Sequence, residues 1–156
     1  MEPTPRQLLA LMLRSKGYGV TEIAKMLNTS KQNVTSLIKR GMKNVKKYEV
    51  TYKLLKASGA KRVVFFDEGV KLYDVASQLI KIADSLSIKL KGNINDIMSY
   101  LKFEGDVING ALAKPHAVGV LEDGHLVVLK DEALEEFGKL VTLYETVVNK
   151  GDLSER

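Results

Sequence analysis

A group of polar and basic side chains between residues 21 and 43 has the types and the spacing to hydrogen-bond a nucleic acid. Several of them recur three or four residues apart, which places them on one face of a helix. Side-chain amides bond the edge of adenine, lysine and arginine bond guanine or phosphate, and hydroxyls bond phosphate oxygens. The candidate contacts to double-stranded DNA are Thr21, Ser30, Lys31, Gln32, Asn33, Thr35, Ser36, Lys39, Arg40 and Lys43.

Within this group, Gln32 is the side chain expected to bond adenine through two hydrogen bonds, with Asn33 as the second candidate. Lys31 can reach guanine acceptors or a phosphate. Thr21 lies where the free backbone N–H groups of a helix N-terminus would hold a phosphate. The alternative for each residue is an ordinary exposed position on a helix. Phosphate contacts are also expected from the hydroxyls of Ser30, Thr35 and Ser36, with longer-range attraction from Arg6, Arg40 and Lys43.

The segment that must position these side chains is Thr21–Arg40, whose pattern predicts a helix-turn-helix. Ala24 is small enough for two helices to touch, and Asn28 tolerates the positive φ that the turn needs. The expected elements are a helix over Thr21–Leu27, a turn at Asn28–Thr29–Ser30 and a second helix from Lys31. The expected helix caps are Thr21 and Ser30.

A further helix should precede this motif, and the second helix of the motif should extend well beyond it. Thr4 can cap the first helix, with Pro5 in its first turn, and Gly17 should end it. After Lys31 the next strong helix breaker is Ser58–Gly59, which predicts a long third helix. Apolar residues recur along it at an interval near 3.5, namely Ile38, Val45, Tyr48, Tyr52 and Leu55, with Gly41 in the same stripe. This stripe predicts either a dimer interface or a linker helix packed on a second domain.

Charge is divided unevenly along the chain. Residues 1–62 contain 14 Lys or Arg against 3 Asp or Glu, a balance of +11, whereas residues 63–156 contain 10 against 16, a balance of −6. Together these give the net charge of +5. A basic part joined to an acidic part indicates that only the first part meets a polyanion. A solvated lysine face would explain the positive charge but not its segregation.

The composition argues against several kinds of site. The chain has no cysteine, which excludes disulfides and thiolate chemistry, and its two histidines make a multi-histidine metal site unexpected. The apolar run near the N-terminus is too short for a membrane span and lacks a signal-peptide cleavage site, so we expect a cytoplasmic protein without membrane contact. Asp67, Glu68 and Asp74 lie near a predicted strand end, where turn-forming carboxylates are common. We therefore expect no catalysis, metal or cofactor, and we expect His116 to lie in a loop.

The second part of the chain predicts a small α+β domain over residues 61–150, joined at Ser58–Gly59–Ala60 to a DNA-binding domain over residues 1–57. The predicted strands are Arg62–Asp67, Ile88–Leu90, Val107–Ala113, Ala117–Leu121 and Leu126–Leu129, with a tight turn at Glu122–Asp123–Gly124. The predicted helices are Leu72–Leu86, Ile94–Phe103 capped by Asn93, and a terminal helix from Glu132 to about Asn149 capped by Asp131. The predicted fold class is α+β, with a three-helix helix-turn-helix domain, an extended third helix and a terminal helix.

The N-terminal helix with Pro5-Arg6-Gln7, the unit TEIAKMLNTSKQNVTSLIKR and the lysine-rich extension resemble the archaeal Tfx family of DNA-binding regulators. The most specific part is the helix that starts after a serine, contains Asn33-Val34 and runs into Lys39-Arg40. The stretch LYDVASQLIKIADSLSIK and the hairpin at residues 122–124 also resemble the family's C-terminal domain, so the likeness covers residues 4–130. The resemblance implies an archaeal transcriptional regulator that binds promoter-proximal DNA. It offers no counterpart for the helix after Leu129.

These patterns favour a sequence-specific transcriptional regulator that acts as a homodimer, because one helix-turn-helix contacts few base pairs. Two alternatives stay open. One is a nucleoid-type protein that coats DNA without sequence preference, and the other is a helix-turn-helix module that binds protein. The C-terminal domain is a candidate for dimerisation, for sensing a small-molecule effector or for contact with the transcription machinery.

Overall fold

The computed structural model describes residues 2–154, which form six helices and five strands. The chain divides into two compact units between Thr51 and Tyr52, inside the third helix. In order, the elements are α1 (Pro5–Ser15), α2 (Val20–Met26), α3 (Lys31–Ser58), β1 (Arg62–Phe66), α4 (Leu72–Ser85), α5 (Ile94–Glu104), β2 (Val107–Ile108), β3 (Ala111–Leu112), β4 (His116–Val120), β5 (Leu126–Leu129) and α6 (Asp131–Ser154). The predicted α+β class, the extended third helix and the terminal helix are confirmed.

The first helix begins and ends at the residues that its sequence predicts. The N–H of Gln7 donates to the Oγ1 of Thr4 at 3.2 Å, and the N–H of Thr4 donates to the Oε1 of Gln7 at 3.0 Å. This reciprocal pair is a capping box, and the proline at the first helical position has no N–H to leave unsatisfied. Gly17 takes a φ of +98° just after the last turn of α1. Glycine adopts that conformation without steric cost.

The turn of the motif has the predicted conformation, but the predicted cap of α2 is wrong. Asn28 has a φ of +51°. The Oγ of Ser30 accepts the N–H of Asn33 at 3.0 Å, which caps α3 as predicted. α2, however, begins one residue earlier than expected, because Gly19 takes the extended conformation of the N-cap (φ −78°, ψ 163°). Thr21 is therefore the second residue of α2 and cannot cap it.

Two helix–helix contacts hold the N-terminal unit together, one between α2 and α3 and one between α1 and α3. Its core consists of Ile23, Ala24 and Val34, with Leu13, Val20, Leu27 and Ile38 packed against them. Farther along α3, Gly41 is buried, and a Cβ at this position would lie 3.1 Å from both the Gln7 Cβ and the Leu11 Cδ1 of α1. The buried Gln7 Oε1 also accepts a hydrogen bond from the Asn44 Nδ2 at 3.1 Å. The glycine of the predicted stripe therefore serves the packing of α1 on α3.

The C-terminal unit is built on a three-stranded antiparallel sheet in the order β1-β4-β5. Side chains on one face of this sheet pack with α4 and α5 into the main core, which includes Phe66, Leu72, Val75, Leu79, Ile97, Leu101, Val118, Val120 and Val128. Because side chains alternate along a strand, Phe65 points to the opposite face from Phe66. There its ring centroid lies 6.4 Å from that of Phe137 in α6. Helices thus cover both faces of the sheet.

Two of the predicted strands are wrong. Val107–Ala113 is a small hairpin, in which β2 and β3 are joined by Asn109 and Gly110 with φ of +52° and +76°. An Asn-Gly pair with two positive φ angles makes a tight two-residue turn, so the apolar run folds back on itself. Residues 88–90 form no strand, because the N–H of Ile88 bonds to the Ala83 carbonyl at 2.8 Å and closes the end of α4. The apolar side chains of this segment pack onto the main core.

Two polar residues of the C-terminal unit also differ from expectation. His116, predicted in a loop, is the first residue of β4 and is 2% exposed. Its Nε2 accepts the N–H of Asp106 at 3.0 Å, and its Nδ1 lies 2.8 Å from the Lys114 carbonyl oxygen, so both ring nitrogens are engaged. Asp131, predicted as the cap of the terminal helix, is the first residue of α6, and its carboxylate accepts a hydrogen bond from the Lys114 Nζ at 2.9 Å. Both residues therefore hold connecting segments in place.

Candidate nucleic-acid interface

The first turns of α3 present one polar face on the outside of the N-terminal unit. At 100° per residue, Gln32, Ser36, Lys39 and Lys43 lie within about 60° of one another around the helix axis. Gln32, Lys39 and Lys43 are exposed, and Ser36 is half-buried. We call these four residues the Gln32 face. The structure therefore brings together four of the residues that the sequence selects as candidate contacts.

The opposite face of α3 is fixed by packing. Val34 is completely buried against Ile23 and Ala24 of α2. Two turns farther along, Gly41 lies against α1. Because these contacts set the rotation of α3 about its own axis, the Gln32 face has one defined outward orientation. A helix held in this way can enter the major groove with its N-terminal residues toward the base edges.

The two amide side chains differ in their freedom to contact a base. Within the described part of the chain, the side chain of Gln32 makes no hydrogen bond. The Nδ2 of Asn33, in contrast, donates to the Oγ1 of Thr29 at 2.9 Å. Gln32 can therefore bond adenine without breaking an existing interaction, whereas one of the two Nδ2 protons of Asn33 is already engaged by Thr29.

The other candidate contacts lie beside the Gln32 face or in the preceding turn. Lys31, Thr35 and Arg40 are exposed and lie within roughly 100° of Gln32 around the axis of α3. The hydroxyl of Thr35 donates its proton to the Lys31 carbonyl at 3.0 Å, so it must turn away from that carbonyl before it can donate to a phosphate oxygen. Ser30 and Thr21 are exposed, at the cap of α3 and in the first turn of α2.

A row of lysines extends the Gln32 face along α3. Lys46 and Lys47 continue from Lys39 and Lys43 on the same side of the helix. None of these four cations pairs with a carboxylate among residues 2–154. The distance along the axis from residue 32 to residue 47 is about 22 Å, which exceeds the ~12 Å width of the major groove. Such a row can therefore reach phosphates beyond the groove that holds the first turns.

Sequence reasoning did not identify the structural roles of Arg6 and Gln7. The sequence predicts only long-range attraction from Arg6, but its Nη2 donates to the Leu27 carbonyl at 3.4 Å, at the C-terminus of α2. Gln7 is 8% exposed and links the cap of α1 to Asn44 of α3. The Thr-x-x-Gln pattern signals the capping box. No local pattern signals a partner in a different helix.

The C-terminal unit carries an ion-pair cluster that accounts for its most perturbed carboxyl group. The Asp106 carboxylate lies 2.7 Å from the Lys114 Nζ and accepts a hydrogen bond from the Lys130 Nζ at 3.0 Å. These bonds, with Lys114 contributing most, lower the pKa of Asp106 to about 2. The same carboxylate, together with Asp131, raises the pKa of Lys114. The cluster joins the connection between α5 and β2, which holds Asp106, and the segment before β4, which holds Lys114, to the start of α6.

Among residues 2–154, no group of three or more His, Asp or Glu side chains is arranged to hold a metal ion. Asp67, Glu68 and Asp74 are exposed. In the same range, no helix combines the length and the apolar character needed to cross a membrane.

Comparison with known proteins gives the family. The family model described as "DNA_binding protein, TFX, C-term" matches residues 49–128. A Pyrococcus furiosus protein named "Putative transcriptional regulatory protein" is 32% identical over 128 residues, which are 82% of this chain and 89% of the relative. The chain belongs to the Tfx family. A Tfx relative from Methanothermobacter thermautotrophicus, named "DNA-binding protein Tfx", is 24% identical over 130 residues, 80% of this chain and 92% of the relative.

The Tfx match confirms the resemblance that the sequence suggests. Residues 49–128 run from the second half of α3 to β5. α6 begins at Asp131 and therefore lies beyond the part of the chain that the family model matches. A similar relative from Methanocaldococcus jannaschii is 32% identical over 127 residues, 80% of this chain and 93% of the relative.

Proposed function

We propose that this Tfx-family protein binds double-stranded DNA and regulates transcription in a sequence-specific manner as a homodimer. The observation that carries the proposal is the Gln32 face, in which Gln32, Lys39 and Lys43 are exposed while the other side of α3 packs into the core of the unit. The names of the Tfx relatives support DNA binding and transcriptional regulation.

In this proposal, the first turns of α3 lie in the major groove. Gln32 bonds adenine through its free amide, and Asn33 is the second candidate for a base contact. Lys31 contacts a guanine or a phosphate. Phosphate contacts come from Thr21, Ser30, Thr35 and Ser36, and the cations Lys39, Arg40 and Lys43 follow the backbone. Residues 1–57 thus act as the DNA-binding domain, and residues 61–150 serve dimerisation or the sensing of an effector.

The homodimer is proposed because one α3 helix can contact only a few base pairs. A single helix-turn-helix contacts few base pairs, whereas two DNA-binding domains related by two-fold symmetry contact half-sites about 34–36 Å apart on one side of the duplex. The expected target is therefore a pair of inverted half-sites. The dimer must hold its two α3 helices at this distance.

The test is selection of genomic fragments by the full chain at near-physiological salt, followed by sequencing of the fragments retained. Enrichment of a few promoter regions that share an inverted repeat would support the proposal. Uniform retention that falls steeply with salt would instead mean that the lysine row of α3 dominates binding. The protein would then coat DNA without sequence preference. This is the second candidate function, and it is favoured by the lysine row of α3, whose four members pair with no carboxylate within residues 2–154.

A further inference from the structure

α6 carries an apolar stripe that is buried at its start and that the described residues leave exposed farther along the helix. Ala133 and Phe137 are 5% and 7% exposed, whereas Leu140, Tyr144 and Val147 are 43%, 70% and 67% exposed. The five residues follow one another at intervals of four, three, four and three, which is the heptad spacing of a coiled coil. A helical segment without tertiary contacts is only marginally stable in water. The outer half of α6 therefore lacks the packing that stabilises most protein helices.

We propose that this stripe is a dimer interface, in which α6 packs antiparallel against α6 of a second copy of the chain. The pairing that aligns the exposed apolar residues sets Leu140 opposite the partner's Tyr144. It also brings the partner's Val147 to the level of Phe137, where Phe137 is covered by its own sheet and the exposed ring of Phe65 continues the apolar surface. Two-fold symmetry repeats both contacts, so four apolar layers form. This contact locates the dimerisation that the proposed function requires, and its role in DNA recognition rests on that function.

The residues beside the stripe support a second copy as the occupant. In the heptad of this stripe, Phe137 and Tyr144 occupy the first core position, called a, and Ala133, Leu140 and Val147 occupy the second, called d. In an antiparallel coiled coil, the residue just before each a position faces the equivalent residue of the other helix. In α6 this position is occupied by Glu136, Leu143 and Lys150. The pairing above therefore sets Glu136 opposite the partner's Lys150, Lys150 opposite the partner's Glu136, and Leu143 opposite the partner's Leu143 on the symmetry axis. The charges are complementary at both ends of the contact.

The opposite flank of the stripe fits the same pairing. It is apolar throughout and consists of Leu134, Val141 and Val148. Val141 would meet the partner's Val141, and Leu134 would meet the partner's Val148. In a parallel pair, Glu136 would instead lie beside the partner's Val141, with no charge to oppose it. The distribution of charged and apolar residues therefore favours the antiparallel pair.

The exposed area is large enough for a stable contact. Burial of the outer three turns of α6 would remove on the order of 600 Å² per chain from water, close to the ~800 Å² per partner of a standard interface. Phe65, which is 61% exposed beside Phe137, extends the apolar surface at each end of the contact. The largest apolar patch on a protein surface often marks an interaction site.

The first test exchanges charges in the full chain and measures the dimer Kd by sedimentation equilibrium. Glu136→Lys alone sets two lysines against each other at both ends, so the Kd should rise about tenfold or more. Lys150→Glu alone should have the same effect, and the double variant should restore the Kd to about the original value. Glu135→Lys is the matched control, because residue 135 is adjacent in sequence but lies on the side of α6 away from the stripe.

The second test uses the absence of cysteine from the chain. Leu143→Cys places one thiol per chain near the two-fold axis, and air oxidation should convert most of the protein to a disulfide-linked dimer. Thr142→Cys places the thiol on the far side of α6 and should remain mostly monomeric on a non-reducing gel. Equal crosslinking of the two variants would overturn the inference.

The outcomes separate this inference from the proposed function. If Glu136→Lys leaves the dimer Kd unchanged, the dimer interface lies outside the α6 stripe. The inference is then wrong, while the proposed function as a dimeric regulator is unaffected. A wild-type chain that stays monomeric at micromolar concentration would overturn the inference, including the case in which the acidic α6 folds back on the basic head. Retention of specific promoter fragments is measured in parallel, so loss of DNA selectivity is scored independently of dimer mass.

Discussion

Replacement of Gln32 by alanine tests the assignment of the base contact. The side chain is exposed and makes no hydrogen bond within the described chain, so its removal should change the free energy of unfolding by less than about 0.5 kcal/mol. The whole effect should therefore fall on DNA binding. A good two-bond amide–adenine contact contributes about 1–3 kcal/mol of discrimination in each half-site.

The binding free energy lost through Gln32→Ala doubles in a two-fold complex, because each of the two half-sites loses one contact. Loss of the contact in both half-sites should cost about 2–6 kcal/mol, or roughly 30-fold to 10⁴-fold in affinity for the selected target. Affinity for random DNA should change little, because phosphate contacts supply that binding. Gln32→Ala should also relax the base preference at one position of each half-site, while the remaining positions keep theirs.

The assay is a fluorescence-anisotropy titration of the target and of a scrambled duplex at the same salt concentration. Gln78→Ala is the matched control, because Gln78 is likewise an exposed glutamine on a helix, in α4 of the C-terminal unit. The control should bind both duplexes as the unmodified protein does. Equal losses on target and scrambled DNA for Gln32→Ala would refute its role as a base contact.

Three further changes test the lysine row, the helix packing and the ion-pair cluster. Lys43→Ala should weaken all DNA sequences alike and reduce the slope of log K against log salt by about 1 per chain, measured by titration at several salt concentrations. Gly41→Ala should be less stable than Gly138→Ala by about 1–3 kcal/mol in urea unfolding, because a Cβ at position 41 meets α1 at 3.1 Å whereas position 138 of α6 is open. Asp106→Asn should destabilise the protein at neutral pH, and the difference should disappear as the pH falls toward 2, measured by thermal unfolding at stepped pH.

The sign of the last effect follows from the lowered pKa of Asp106. A carboxyl group whose pKa is about 2 in the folded protein, against an ordinary value of 3.8, stabilises the fold at pH values above about 4. That contribution is lost as the pH falls through 2 and the group is protonated. A difference between the two proteins that persists unchanged at pH 2 would contradict the assignment. For the glycine pair, equal stabilities would show that α1 does not approach α3 closely at Gly41.

Local patterns predicted the parts of the structure whose causes are local. Thr4, Ser30 and Asn93 cap their helices as expected, because each cap depends on a side chain and a backbone N–H three residues away. Asn28 and Gly17 likewise take the positive φ angles that their residue types favour. Thr21 is not a cap because Gly19 allows α2 to begin one residue sooner, a shift smaller than the precision with which patterns place helix ends.

One error had a local cause, because the Asn109-Gly110 pair that turns Val107–Ala113 into a hairpin can be recognised in the sequence. The other errors arose where tertiary contacts decide the structure. Ile88 and Leu90 are apolar because they pack onto the core from a loop, which a strand pattern cannot distinguish from a buried strand. His116 is buried because Asp106 and Lys114 supply bonds to both ring nitrogens from outside its own strand. The contact of Gly41 with α1 joins residues that are far apart in the chain. For the candidate site, the sequence supplied the residue set, and the packing of α3 supplied its orientation.

Cleavage of bound promoter DNA from a single introduced cysteine tests most directly whether the first turns of α3 enter the major groove. Thr35→Cys, labelled with an iron chelate that generates hydroxyl radicals, is compared with the same label at Thr146→Cys on α6; both threonines are exposed, and the chain has no other thiol. Insertion of α3 predicts cuts from position 35 in two clusters about one helical turn apart, within the inverted half-sites, and little cutting from position 146. Cuts spread evenly along the fragment from position 35, or equal cutting from both positions, would contradict the account.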